Sequence, residues 1–258
     1  MNADEASELL LTAETDAEPI EPLSDAWPEL DGHMGMKVQR ISLAERLRRG
    51  ERLTGLKLGL TSRAKQLRMG IDTPITAYLT SAMSLRLSEP LDVGSLIHPR
   101  AEPEIVFHMA SPLRGPGVTA AEALEAVAAV RCGVEIIDSR FVDFRFRLGD
   151  VVADNASAAR YVLGPVVRGP SMIDLSLEAC VVELNGRVVD SATGAAVQGH
   201  PAEALAAAAN ALAEQDVTIE AGWTVLTGGM TDAVDLPASS SLRVDFTHLG
   251  SIVIQAVS

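Results

Sequence analysis

The chain has 258 residues, 47% of them hydrophobic, 22% charged and 3% aromatic, with two cysteines and a formal charge of −14 at pH 7. That length fits one large domain or a domain with an appendage, with apolar residues enough for a sizeable core of Ala, Val, Leu and Ile. The acidic balance excludes a nucleic-acid backbone as the main partner, and no apolar run reaches the roughly 18–20 residues of a membrane span. The acidic start is unlike a secretory signal, and Cys132 and Cys180 sit in apolar runs as buried thiols do, so a soluble cytoplasmic protein is expected.

Residues 1–31 carry ten acidic side chains and no Lys or Arg, leaving 25 acids against 21 bases in the rest. Such a segment, within an appendage spanning residues 1–34, reads as a solvated leader. The competing reading is a docking helix around Ala6 to Leu11 with a strap through Pro19, Pro22 and Pro28. The body of the chain, 35–258, then begins with a helix. Ser42 and Glu45 have capping-box spacing, and Gly50 closes the segment. Thr61 or Ser62 caps a short helix to Met69, with Gly70 behind it. Strands are expected at 103–109, 132–138, 159–163, 223–227, 242–247 and 251–257. Thr119 and Glu122 open a helix carrying Leu124 and Val127 on one face. Asn185-Gly186 is a hairpin turn between Val181–Leu184 and Val188–Val189, because both residues tolerate positive φ. Leu205, Ala208, Ala209 and Leu212 mark a helix over 202–215 behind Pro201. Short strands mixed with a few helices, without a regular βαβ rhythm, predict an α+β fold with a curled or sandwiched sheet.

Three segments carry chemistry. Glu102 and Glu104, two apart on a strand, point to the same face, where they repel unless a cation or proton lies between them. Glu135 stands in an apolar strand, where an unpaired charge is costly. Three carboxylates without Cys or His suit a hard divalent cation; the plainer reading pairs them with Arg100 or Arg140. Lys57, between Gly55 and Gly59 in an apolar stretch, is either a desolvated lysine of lowered pKa or one that snorkels to the surface. Asp150 to Ser157 is either a turn whose Asp154 and Asn155 bond their own backbone or a substrate-contacting loop. No GxGxxG, Walker, HExxH or GxSxG motif occurs.

Taken in order, Lys57-Leu58-Gly59-Leu60-Thr61-Ser62-Arg63-Ala64-Lys65, His98-Pro99-Arg100-Ala101-Glu102-Pro103-Glu104, Glu135-Ile136-Ile137-Asp138-Ser139-Arg140, Val152-Ala153-Asp154-Asn155-Ala156-Ser157 and Leu226-Thr227-Gly228-Gly229 resemble the hydratase/decarboxylase branch of the fumarylacetoacetate hydrolase superfamily. The resemblance runs from about residue 35 to the C-terminus. It implies a mixed β-sandwich or roll of that superfamily's C-terminal-domain type with flanking helices. It also implies Mg²⁺ held by Glu102, Glu104 and Glu135 (Mn²⁺ suits the same oxygens), an active-site lysine at Lys57, and small 2-oxo acid substrates of aromatic meta-cleavage catabolism.

Within the branch, hydratases usually carry an acidic residue after the proline of the stretch Asp72-Thr73-Pro74-Ile75-Thr76-Ala77, followed by Phe-Gly. Here that place is Ile75, which cannot shuttle a proton, so the resemblance leans to a carboxy-lyase, with a hydro-lyase as the alternative. Thr76-Ala77 departs from the aromatic-Gly pair common in both groups. Asp154 and Ser157 are assigned to the 2-oxo acid end of the substrate, and Arg140 or Arg145 to a distal carboxylate. A homo-oligomer and a complex with a related hydratase are implied partners. A C–C hydrolase would need a His–Glu pair, and His33 beside Asp31 offers none; a non-catalytic assembly subunit would have no need of Glu102, Glu104, Glu135 and Lys57.

Overall fold

β-Branched and leucine-rich segments alternating with turn residues build two sheets, and the buried residues of the helices are divided between two hydrophobic cores. The computed structural model describes the backbone of residues 1–258 and every side chain except those of Ala64, Lys65 and Arg68, so the end of the Thr61–Lys65 motif lies outside the described side chains. In chain order the elements are α1 (Ala3–Asp16), α2 (Leu23–Ala26), α3 (Gly32–Arg48), β1 (Leu53–Gly59), α4 (Arg63–Met69), β2 (Ile75–Thr80), β3 (Ser84–Leu85) and β4 (Leu91–Asp92). Then come β5 (Arg100–Met109), α5 (Ala120–Glu125), β6 (Val127–Ile137), α6 (Leu148–Ala153), β7 (Ala158–Leu163), β8 (Ala179–Leu184) and β9 (Arg187–Thr193). The chain ends with α7 (Pro201–Ala213), β10 (Thr224–Leu226), β11 (Val234–Asp235), β12 (Ser240–Phe246) and β13 (Gly250–Val257). No helix among the described residues is long and apolar enough to cross a membrane.

The larger sheet has the order β2-β1-β10-β5-β6-β7-β3, with β11 also pairing β5; the smaller runs β4-β13-β12-β8-β9. Alternation along each strand divides the larger sheet's faces. Leu56, Leu58, Ile105, Phe107, Val134, Ile136, Val162 and Val225 lie on one face and join Leu242, Val244, Ile252 and Ile254 of the smaller sheet and Leu205 and Leu212 of α7 in the main core. On the opposite face Leu79, Met83, Val106, Tyr161 and Leu226 form a small separate cluster. That face also carries Lys57, Glu102, Glu104 and Glu135, because each shares a register row with a member of the cluster or lies two residues from one.

The N-terminal segment departs from the solvated leader expected from its composition; as in the competing reading, a helix covers Ala6 to Leu11. α1 runs for fourteen residues from an Asn2 capping box. Its inward positions Ala3, Ala6 and Leu10 pack with Leu23, Leu30, Val38, Phe141 and Ala153 in a second core, against which Trp27 also lies. Ser7 Oγ and Ser42 Oγ, both buried, are 2.8 Å apart, and the buried Asp150 carboxylate accepts from the Ser24 amide (2.8 Å) and hydroxyl (2.6 Å). The acids lie largely on the outer face, so charge and burial coexist on one amphipathic helix. The Ser42–Glu45 pair is likewise not a helix start: α3 begins at Gly32 behind an Asp31 cap, and Ser42 is interior. Val127 opens β6 rather than continuing α5, while Asn185-Gly186 turns the β8–β9 hairpin with both φ positive.

Candidate active site

Register assembles the acidic cluster. β5 and β6 are antiparallel with Glu102 directly opposite Glu135, and Glu104 lies two residues along β5 on the same face. One carboxylate oxygen from each of the three lies within 4.8 Å of the others. Burial is severe: Glu104 is 0% and Glu135 1% exposed. Glu104 Oε2 accepts a hydrogen bond from the Gly228 amide at 2.7 Å. Glu104 Oε1 and both Glu135 oxygens accept none among the described residues. Buried carboxylate oxygens are rarely left so, and their convergence fits a hard cation with oxygen ligands. The arginines that a mere rim of acids would use are engaged elsewhere: Arg100 pairs with Asp235 at 2.8 Å, and Arg140 with Asp154.

The loop after β10 shapes this cradle. Thr227 Oγ1 donates to the Ile105 carbonyl at 2.7 Å, fixing the loop along β5. Gly228 has φ +116, and a Cβ there would lie 2.0 Å from Thr61 Oγ1; one on Gly229 would lie 2.9 Å from Glu102 Cδ. Only glycines allow the backbone so close to two carboxylates. Their part in the site escapes a reading of residue types, although paired glycines directly after a buried strand mark a close backbone approach.

Lys57, 3% exposed, projects from β1 into the cluster. Its Nζ donates to the Ala156 carbonyl at 2.8 Å and forms an ion pair with Glu135 Oε2 at 3.0 Å. Burial acts to lower the lysine's pKa, but Glu135, Glu102 and Glu104 together outweigh it and hold the ammonium above its ordinary value. With no metal bound, the carboxylates rather than burial set the direction of the shift, opposite to the lowered lysine that desolvation alone suggests. Burial, joined by repulsion from Glu135 and Glu102, pushes Glu104 well above the carboxylate range; burial also raises Glu135 despite the lysine.

Ile75 opens β2 opposite Gly59, on the face and in the strand pair that carry Lys57 opposite Ala77. It crowds the Gly59 position, where a Cβ would meet Ile75 Cγ1 at 3.0 Å and Ala156 Cβ at 3.6 Å. The wall beside the lysine is thus apolar.

The remaining expected substrate contacts are placed differently. The Arg140 guanidinium, 3% exposed, gives Nε to Asp154 Oδ1 and another nitrogen to the Ala158 carbonyl at 3.2 Å, so it is not offered to a distal carboxylate. Arg145 is exposed and pairs with Glu21 and, at 3.0 Å, Asp25, more than a hundred residues earlier in the chain. Asp154 also accepts from the Arg140 amide (3.2 Å) and from Ser157 Oγ (3.3 Å), so both residues of the expected 2-oxo acid contact hold each other and Arg140. Burial, working against Arg140, lifts the Asp154 carboxyl to about 6. Asn155 bonds the backbone of Tyr78 in β2 rather than its own.

A two-sheet α+β fold with a buried triad of glutamates and a lysine defines the class, and comparison with known proteins gives the family. The model of the fumarylacetoacetate hydrolase C-terminal region matches residues 65–257. A 4-oxalocrotonate decarboxylase of Pseudomonas putida is 39% identical over 95% of this chain and 93% of its own length. A 2-hydroxyhexa-2,4-dienoate hydratase of Comamonas testosteroni is 35% identical over 93% and 91%. The structure of 4-oxalocrotonate decarboxylase from Pseudomonas putida G7, complexed with magnesium and adipate, superposes with a TM-score of 0.97 at 36% identity, covering 99% of this chain and 97% of that one. The chain belongs to the fumarylacetoacetate hydrolase family.

Proposed function

We propose that the chain is a metal-dependent carboxy-lyase that converts 2-oxohex-3-enedioate to 2-hydroxypenta-2,4-dienoate and CO₂. The observation that carries this reading is the pairing of a carboxylate triad and a buried lysine with an apolar residue, Ile75, beside them. The similarity to decarboxylases along nearly the whole chain supports it. Glu102, Glu104 and Glu135 would hold Mg²⁺, which when bound supplies Lewis-acid polarisation of a 2-oxo acid.

The rest falls to the chain's own groups. Breaking the bond to the departing carboxylate sends its electron pair through the substrate's double bond toward the C2 oxygen. Lys57, buried and projecting into the cluster, is the group placed to hold a proton for that oxygen. Ile75 offers no group to deliver a proton to carbon, which hydration of the dienoate requires. The apolar floor of Leu79, Met83, Val106, Tyr161 and Leu226 lies on the lysine's face of the sheet. Association with a related hydratase, which would take up the dienoate as it forms, follows from the same reading.

Two assays on the purified protein with Mg²⁺, each repeated with EDTA, test this. CO₂ release from 2-oxohex-3-enedioate is expected to need the metal, with no loss of the 2-hydroxypenta-2,4-dienoate chromophore. Hydration without CO₂ release would favour the hydratase reading, to which the Comamonas relative gives weight.

A further inference from the structure

We propose that Asn155 is a positioning residue for Lys57, acting as a clasp between the two ends of the curled sheet; this rests on the reading of Lys57 as a catalytic residue. On the path β1-β10-β5-β6 the lysine and Glu135 are three strands apart. The lysine's register row reaches Arg131 on β6, four residues from Glu135. In a flat sheet, at about 4.8 Å per strand and about 3.3 Å per residue, the two backbones would lie roughly 19 Å apart, farther than the two side chains can span, yet their ends meet at 3.0 Å. Curling of the sheet is therefore a condition for the ion pair, and something must hold the curl where the sheet's ends approach.

The turn between α6 and β7 does this. At one end of the sheet, β2 is an edge strand. The Tyr78 amide on its open side donates to Asn155 Oδ1 at 2.9 Å, and Asn155 Nδ2 donates back to the Tyr78 carbonyl at 2.9 Å. The amide thus stands in for one residue of a neighbouring strand. Three residues later the chain enters β7, near the other end of the sheet, and just before it the Asp138 amide donates to the Ser157 carbonyl at 2.8 Å. Between these anchors lies the Ala156 carbonyl that receives Lys57 Nζ.

The turn is strained in a way that needs such anchors. Asn155, Ala156 and Ser157 have φ of +49, +49 and +59, three consecutive non-glycine residues in the left-handed region. Such residues are unfavourable for side chains with a Cβ and persist only where their surroundings fix them. Asn155 is the member best suited to that region, and its side chain is the one that reaches across to β2. The Arg140–Asp154 pair fixes the residue before the turn. Without the amide, the Ala156 carbonyl would be free to turn away from the lysine.

Asn155→Gly removes the clasp while keeping a residue at ease with positive φ. It is expected to lower kcat at least tenfold with KM little changed, and to leave Mg²⁺ affinity, measured by calorimetry, within twofold of wild type. In single-turnover reactions at high enzyme, adding Asn155→Gly to Lys57→Met should cost nothing beyond Lys57→Met alone, because a clasp acting through the lysine has nothing left to position. Asn155→Asp, which keeps the acceptor for the Tyr78 amide and loses the donor, should fall between wild type and Asn155→Gly, and it carries the test if the glycine variant does not fold. Wild-type turnover in Asn155→Gly, or an equal further loss on the Lys57→Met background, would overturn the proposal. Full turnover in Lys57→Met would instead overturn the role given to the lysine, so the two failures are distinguishable.

Discussion

Lys57 and its carboxylate neighbours form a set in which each charge determines the state of the others. Replacing the lysine by methionine keeps its bulk and removes the cation, and turnover should fall by about 10²- to 10⁴-fold, the range for a lost proton-handling group. Calorimetry should show that Mg²⁺ still binds, since the three carboxylates remain. The raised carboxyls of Glu104 and Glu135 carry a consequence for pH. An acid whose folded pKa lies above its unfolded value favours the folded state below the unfolded value and loses that contribution as pH rises through the folded one. Metal-free protein should therefore lose melting temperature as pH rises above the ordinary carboxylate range. Mg²⁺ should restore more stability at the higher pH, where the carboxylates no longer hold protons against it. A Mg²⁺ stabilisation that shrank with rising pH would contradict this.

Strand register and loop contacts decide which residues reach the site at the level of elements. Gly228→Ala puts a methyl group against Thr61 and forces a positive φ on a residue with a Cβ, so a stability loss of about 1–3 kcal/mol and weakened Mg²⁺ binding are expected, read by denaturant melts and calorimetry. Much of this level is legible in sequence. The two-residue spacing of Glu102 and Glu104 places them on one face, the Asn185-Gly186 pair fixes a hairpin, and β-branched runs mark the strands of both sheets. What sequence conceals are partnerships across long separations. Arg140 and Arg145 look free for a substrate because Asp154 is one of many acids nearby and Glu21 and Asp25 lie far back in the chain. Ser42-Glu45 has the spacing of a helix start, but burial of Val38 and Gln39 one turn earlier carries α3 back to Asp31. Composition alone argues against α1, since ten acids in 31 residues suggest solvation when only their averages are read, and the helix around Ala6 to Leu11 stands only as the competing reading. The apolar spacing of Ala3, Ala6 and Leu10 is the signal that averaging removes.

For the whole molecule, the N-terminal helices are part of the packed body. α1 and α2 close over α3 and α6, and the isolated bridge between Ile20 and Phe141 binds the connecting segment to the loop that carries Arg140. Leu10→Ala should therefore destabilise the protein by about 2–5 kcal/mol, as truncation of a buried leucine does in a core, and denaturant unfolding will measure it. An effect near zero would restore the solvated leader. The chain's two tryptophans are divided between the cores, Trp27 against the small N-terminal one and Trp223 against the main one. Each core thus has its own optical reporter, with no label to attach. Single-tryptophan variants, Trp27→Phe and Trp223→Phe, would record whether the N-terminal helices come away before the sheets do or whether the chain unfolds in one transition.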